Sequence, residues 1–229
     1  MLWSERREAR AYNRWMAAVD PLAQHMRWNM GPTGMYLVNT PVLGLAEELG
    51  LEAHHSILDI GCGRGSLARY LSRVVRFEAP PVAMDVSTVM LRLALQDADE
   101  EAPVSLVAGS ASSLPFEDNT FDFVIVAHVW KHLDDRVFLH NLFEIERVLR
   151  PGGSCVAWEF APRSCVWLNR ANRAILTLGE VKSAHLRGFH VIASAAIDAR
   201  FAHIRRLQLG PFFWPPIPRV SVRLYKSEA

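Results

Sequence analysis

The sequence predicts an α/β fold, a mostly parallel sheet with helices on both faces, and three observations carry that prediction. Short apolar runs such as Ile57–Ile60, Val82–Asp85 and Phe121–Val126 lack the polar alternation of a half-exposed strand, so they read as strands covered on both sides. Segments with apolar residues every three or four positions separate them. The first strand also runs through an acid into three spaced glycines, Asp59-Ile60-Gly61-Cys62-Gly63-Arg64-Gly65, and then directly into a helical pattern.

The elements follow in order. Residues 5–30 are helical by the recurrence of Tyr12, Trp15, Met16, Val19, Leu22, Ala23 and Met26. Asp20-Pro21, a capping residue before a proline suited to a first helical position, predicts that two helices meet there. Gly31-Pro32-Thr33-Gly34 breaks the pattern, and Thr40-Pro41 opens another helix that ends near Gly50. After the first strand, Leu67, Ala68, Tyr70, Leu71, Val74 and Val75 share a helix face. Val82–Asp85 is the second strand, and Val89, Met90, Leu93, Ala94 and Leu95 form the next helix face. Val104–Val107 and Phe121–Val126 are strands three and four. A helix through Phe138, Leu142, Ile145, Val148 and Leu149 stops at Pro151-Gly152-Gly153, and Ser154–Trp158 is strand five. Beyond it, Val166–Leu178 and Val191–Arg200 read as helices, and His203–Leu209 and Val220–Tyr225 as late strands. The segment Gly210–Pro218 between them holds too many prolines for a central strand.

At 229 residues the chain suits one α/β domain with appendages, and its 50% hydrophobic content supports a sizeable core. No apolar run approaches the ~20 residues of a membrane span, and the N-terminus lacks the apolar core of a secretory signal. Three cysteines without metal-type spacing point to a reduced, cytoplasmic setting and to no metal site. The net charge of +1 hides an asymmetry: residues 163–229 carry 11 Lys/Arg against 3 Asp/Glu, whereas residues 1–162 carry 14 against 21. Such a basic third is either a solvated surface or a footprint for an anionic partner.

The glycine spacing narrows the ligand. A dinucleotide loop expects Gly-x-Gly-x-x-Gly and receives a pyrophosphate. Here the spacing is Asp-x-Gly-x-Gly-x-Gly, and a carboxylate at the strand end suits a cationic ligand better than a phosphate. This stretch resembles motif I of the class I methyltransferases that use S-adenosylmethionine. Asp85 ends the second strand, 24 residues after Gly61, where a carboxylate can accept both hydroxyls of a ribose or simply cap the helix that follows. Gly109-Ser110-Ala111-Ser112-Ser113-Leu114-Pro115-Phe116 resembles the family segment that lies against adenine, with Ser110 in place of the usual Asp. Phe121–Ile125 and Val148-Leu149-Arg150-Pro151-Gly152-Gly153 resemble the family's fourth strand and the turn before its fifth. The ordered series is similar to the family over about residues 56–160.

The resemblance implies a Rossmann-like, seven-stranded, mostly parallel sheet with an N-terminal helical lid over residues 1–50. It implies a methyltransferase domain over 51–229, with a helical insertion at 161–200 and closing strands at 201–229. It implies S-adenosylmethionine as cofactor and Asp59, Gly61, Cys62, Gly63, Gly65, Asp85, Val86, Ser110, Ala111 and Ala127 as cofactor-binding positions, Gly61 and Gly63 flanking the methionine part.

Methyl transfer from a sulfonium is an in-line displacement, so the protein must align the nucleophile, exclude water and, for hydroxyl or carbon acceptors, remove a proton. His128, just past strand four, is the candidate base, because imidazole titrates near neutral pH; packing beside the cofactor is the alternative. Glu159, after strand five, is the second catalytic candidate. His132, Tyr12 and Trp15 are expected on the substrate or lid side, with plain packing as the alternative for each, and Asp134 and Asp135 are expected as helix caps. Phe212, Phe213 and Trp214 form an aromatic knot read as packing or a dimer contact.

The resulting expectation is a methyltransferase of the ubiquinone/menaquinone-biosynthesis type, acting on a small, apolar or aromatic acceptor and not on DNA. An RNA or protein methyltransferase using the basic third, a binding protein without activity, contact with an anionic surface, and a homodimer stand as alternatives at this point.

Overall fold

A computed structural model of the chain describes residues 3–34, 43–162, 184–208 and 219–228. The expected helix at Val166–Leu178, the Thr40-Pro41 start, Cys165 and the Phe212–Trp214 knot lie outside the described residues. Helices α1 (Trp3–Ala17), α2 (Pro21–Asn29) and α3 (Leu45–Leu49) precede β1 (Ile57–Ile60). Then follow α4 (Ser66–Val75), β2 (Val82–Asp85), α5 (Thr88–Gln96), β3 (Ser105–Ala108), β4 (Phe121–Ala127), a 3-10 turn (Trp130–His132), α6 (Asp135–Val148), β5 (Leu149–Phe160), α7 (Phe189–Asp198), β6 (His203–Arg206) and β7 (Arg219–Tyr225).

The strands form one seven-stranded sheet in the order β3-β2-β1-β4-β5-β7-β6. The first five run parallel, and β7 is antiparallel to both its neighbours. Side chains alternate across the sheet, as the two-residue period of a strand requires. Leu58, Ile60, Val124, Val126, Cys155 and Ala157 face the layer that contains Phe138, Leu142 and Ile145 of α6. Ile57, Phe123, Ile125, Val156 and Trp158 face the layer that contains Leu67 and Leu71 of α4. The N-terminal helices make a third, smaller core, in which Trp15, Met16 and Ala23 close over Met90 of α5.

Local chemistry explains the helix boundaries. Asp20 caps α2 by accepting the Ala23 amide at 3.0 Å, with Pro21 at the first turn. Asp134 does the same for α6 through the Val137 amide at 2.9 Å. Gly50 ends α3 in the left-handed region at φ 65°.

Three expected boundaries are corrected. Pro151-Gly152-Gly153 does not precede β5 but lies inside it, because the chain after β7 extends the ladder: Gly152 donates to the Ser227 carbonyl at 3.1 Å and Lys226 to the Gly153 carbonyl at 2.9 Å. The register with β4 breaks between Phe121 and Phe123 to take up the extra residues. Strand β3 is shifted one residue, and β6 stops at Arg206. No described helix is long and apolar enough to cross a membrane.

Candidate functional site

Because β1 to β5 are parallel, the loops that leave them gather at one edge of the sheet. The order reverses at β1, which has β2 on one side and β4 on the other, and such a switch point is where open α/β sheets hold ligands. The glycine loop stands at this point. Gly61, Gly63 and Gly65 all take positive φ, 72°, 55° and 71°. At Gly61 a side chain is excluded by more than the backbone angle. A Cβ there would lie 2.2 Å from Val129 Cγ2, so the loop after β4 rests directly on the glycine loop.

Asp85 holds this loop in shape. Its Oδ2 accepts the Gly63 amide at 2.8 Å and its Oδ1 the Ser87 amide at 2.7 Å. Burial raises its pKa to about 6, against the pull of the amides of Ser87, Gly63 and Val86. Asp59 is 2% exposed, and its Oδ2 has no hydrogen-bond partner. Burial, with the charge of Asp85 nearby, raises its pKa to about 7. Cys62 begins the turn, its amide on the Met84 carbonyl at 3.0 Å, and burial raises its thiol pKa well above the usual range.

The loop after β3 continues the edge. Gly109 donates to the Asp85 carbonyl at 3.1 Å. The Ser110 hydroxyl lies 2.9 Å from that of Ser112 and accepts the Ser112 amide at 3.2 Å, and the Ala111 carbonyl accepts from Asn141 at 2.8 Å. Ser110 and Ala111 are both buried, and Val86 and Ala127 half-buried.

The N-terminal helices lie over the glycine loop, and both expected aromatic residues pack in the small core there, the Tyr12 and Trp15 ring centroids 6.3 Å apart. Trp15 belongs to the small core, its indole N–H on Asp20 at 3.3 Å. The Tyr12 hydroxyl lies 3.5 Å from Met30 Sδ, its ring centroid lies 6.1 Å from that of His132, and burial together with the Asp85 charge raises its pKa. Asn13 accepts the Ser87 hydroxyl at 2.6 Å, tying α1 to the turn after β2. Sequence reading passed over Asn13; its signal was a polar residue among apolar ones on the buried helix face. Arg64 fastens α2 to α5, donating to the Arg27 carbonyl at 3.0 Å and in a two-pronged pair to Asp97, both bonds 2.6 Å.

A second cluster lies past β4 and β5. His128 takes φ 58°, unusual for a residue with a Cβ, and its amide donates to the Trp158 carbonyl at 2.9 Å. Its ring stacks on Phe160 with centroids 4.4 Å apart, and its Nδ1 lies 4.0 Å from Glu159 Oε2. Burial, then the charges of Lys131 and Arg219, push its pKa well below the usual imidazole range, so the ring is neutral. Glu159 is 3% exposed; burial raises its pKa and Lys131 pulls it back. Lys131 was not singled out by sequence reading, since a lysine between two turn residues reads as solvated. Its ammonium donates to the His128 carbonyl, and its amide lies 3.4 Å from Glu159 Oε1. His132, in the same 3-10 turn, is lowered by burial first and by Lys131. Among the described residues no cluster of His, Cys, Asp or Glu could hold a metal ion.

The site therefore offers a glycine cradle with two buried carboxylates, suited to a cationic ligand, beside a buried cluster of an imidazole, a carboxylate and an ammonium. Residues 58–157 match the methyltransferase domain family. The demethylmenaquinone methyltransferase of Staphylococcus saprophyticus is 33% identical over 113 residues, 49% of this chain and 48% of that protein. The chain spans about half the length of the curated relatives it matches. Among solved structures, an S-adenosylmethionine-dependent methyltransferase from Methanosarcina mazei shares the fold with TM-score 0.66 and 21% identity, over 81% of this chain and 98% of that one. A Haemonchus contortus phosphoethanolamine N-methyltransferase, solved with phosphomonomethylethanolamine and S-adenosylhomocysteine, shares it with TM-score 0.68 and 21% identity, over 86% of this chain and 46% of that one. The domain match over residues 58–157 and the shared fold make this chain similar to S-adenosylmethionine-dependent methyltransferases.

Proposed function

We propose that this chain transfers the methyl group of S-adenosylmethionine, in the cytoplasm, to a small-molecule acceptor of apolar or aromatic character. The observation that carries the reading is the pairing of the positive-φ glycine loop with two buried carboxylates at the switch point. The cofactor's ammonium and sulfonium suit that pair, and Asp59 Oδ2, buried without a hydrogen-bond partner, is an acceptor a cationic ligand satisfies. When bound, the cofactor supplies a methyl group already activated on a sulfonium, so no nucleophilic residue is needed.

Asp59, Gly61, Cys62, Gly63 and Gly65 would line its methionine part. Asp85 would reach the ribose with lone pairs not used on Gly63 and Ser87, and Ser110 and Ala111 would flank the adenine beyond Val86. Ala127 closes the cradle from β4. Residues 1–50 act as the lid over residues 51–229, with Tyr12 and His132 toward the acceptor. Glu159 is the better base of the two catalytic candidates, because burial raises its proton affinity while it makes His128 a weak one. The names of the curated relatives support a quinone-like acceptor over RNA or protein.

Isothermal titration of the full chain with S-adenosylhomocysteine tests the reading. Saturable binding at micromolar concentration is expected. Absence of heat at high micromolar ligand would overturn it.

A further inference from the structure

We infer that Lys131 and Glu159 form a donor–acceptor pair that grips an acidic hydroxyl of the acceptor, Glu159 taking its proton and Lys131 holding the oxygen. This rests on the methyl-transfer reading above and names the acceptor atom.

Two hydrogen-bonding capacities are left over, among the described residues, in the segment where the Lys131 amide meets Glu159. Glu159 Oε2 is buried without a hydrogen-bond partner, while Oε1 lies toward the Lys131 amide. An ammonium has three donors. That of Lys131 has, among the described residues, one acceptor, the His128 carbonyl, and no ion pair. Its nitrogen lies 5.5 Å from the Phe160 ring centroid, and the His128 ring stacks on that same Phe160. A hydroxyl that reached both Oε2 and Nζ would satisfy both groups at once, near the Phe160 ring.

Charge selects the acceptor further. The groups facing this point are His128 and His132 from the segment after β4, Arg219 at the start of β7 opposite Phe160, His185 whose amide bonds the Lys131 carbonyl at 2.9 Å, and Glu159 itself. Burial leaves the His128 and His132 rings neutral, and Lys131 and Arg219 supply the positive charge. An oxygen that turns negative is stabilised here, whereas an amine that turns into an ammonium meets Lys131 at close quarters. In the step, Glu159 accepts the hydroxyl proton and the acceptor oxygen forms its bond to the methyl carbon. The bond from that carbon to sulfur breaks with its electron pair kept on sulfur, so a sulfonium becomes a neutral thioether. Glu159 later releases the proton to water.

The test uses 4-nitrophenol, whose absorbance reports its ionisation, titrated from acid to alkaline pH with the full chain saturated with S-adenosylhomocysteine. The bound probe is expected to ionise at least one pH unit below the free probe. Lys131→Met is expected to abolish the shift, Lys131→Arg to retain it, and Glu159→Gln to weaken probe binding at least tenfold. S-adenosylhomocysteine affinity, measured on the same samples, should be unchanged in all three variants, which shows that they fold. The inference is overturned if the probe does not bind, if it ionises as it does free, or if the shift survives Lys131→Met. Failure of the wild type to bind S-adenosylhomocysteine sinks the methyl-transfer reading instead, and the probe titration, run without it, still judges the pair.

Discussion

Gly61 and Gly63 look equivalent in the sequence, two glycines in one loop, yet their surroundings differ. Both take positive φ, but a side chain at Gly61 would strike Val129 at 2.2 Å, while one at Gly63 would meet the flexible ends of Met90 and Met30 at 3.5 and 3.9 Å. Gly61→Ala should therefore cost more stability than Gly63→Ala, with about 1–3 kcal/mol expected for the strained backbone alone; thermal unfolding of the two variants compares them. Equal losses would show that Val129 yields freely. At Asp85, replacement by Ala strips acceptors from the Gly63 and Ser87 amides and from a ribose, so S-adenosylhomocysteine should bind about 1–3 kcal/mol more weakly by calorimetry. Asp59 sets a pH dependence. Its native pKa of about 7 lies above the ordinary 3.8, so the folded chain holds its proton more tightly than the unfolded one. Stability from this group is fully present below about pH 4 and is lost as pH rises through about 7. Denaturant unfolding between pH 5 and 8 should show that fall, and Asp59→Asn should flatten it; a slope unchanged by the substitution would refute the assignment.

Elements bring these residues into register. Helix α2 is a weak helix by itself, nine residues long, and its place depends on side chains from elsewhere: Arg64 on the Arg27 carbonyl, Ser66 on the Met30 carbonyl at 2.9 Å, and Asn13 of the preceding helix on Ser87. Arg64→Ala leaves the Asp97 carboxylate without its two-pronged partner. Amide exchange should then quicken in α1 and α2 and stay slow in β1 and β4, with a global loss of about 1–3 kcal/mol. Uniform quickening across the sheet would mean that Arg64 holds the whole fold and not the N-terminal pair. The capping residues Asp20, Gly50 and Asp134 were legible because a cap acts over three or four positions of the chain itself. The turn at Pro151-Gly152-Gly153 was misread because its partners, Lys226 and Ser227, lie more than seventy residues away.

For the molecule as a whole, the sheet order 3-2-1-4-5-7-6 puts five loop ends on one edge and the N-terminal helices above them. Residues 3–30 cover Met90, which is wholly buried, and place Tyr12 and Met30 beside the glycine loop. Deleting residues 1–30 should leave the sheet folded by far-ultraviolet circular dichroism and lower S-adenosylhomocysteine affinity at least tenfold. Unchanged affinity would show that these helices are packing only. The basic third splits in the structure: Arg205 and Arg206 lie on an exposed edge strand, whereas the Arg187 side chain is buried, bonded to the Trp130 and Leu133 carbonyls and to Asp135. Part of that charge is structural cement and not a surface for a partner.

The sequence by itself determined the order of the elements and pointed to the cofactor class proposed above, because both are written locally: spacing within one loop, periodicity within one segment, a cap beside its helix. Only the tertiary structure decided which groups meet. Val129 on Gly61, Asp85 on Gly63, Asn13 on Ser87 and Lys131 beside Glu159 join residues 22 to 74 positions apart in their widest cases, brought together by strands that are neighbours in the sheet and not in the chain. Such contacts have no period or spacing to read. They follow from sheet order and burial, which also turn an ordinary lysine and glutamate into a pair with chemistry of its own.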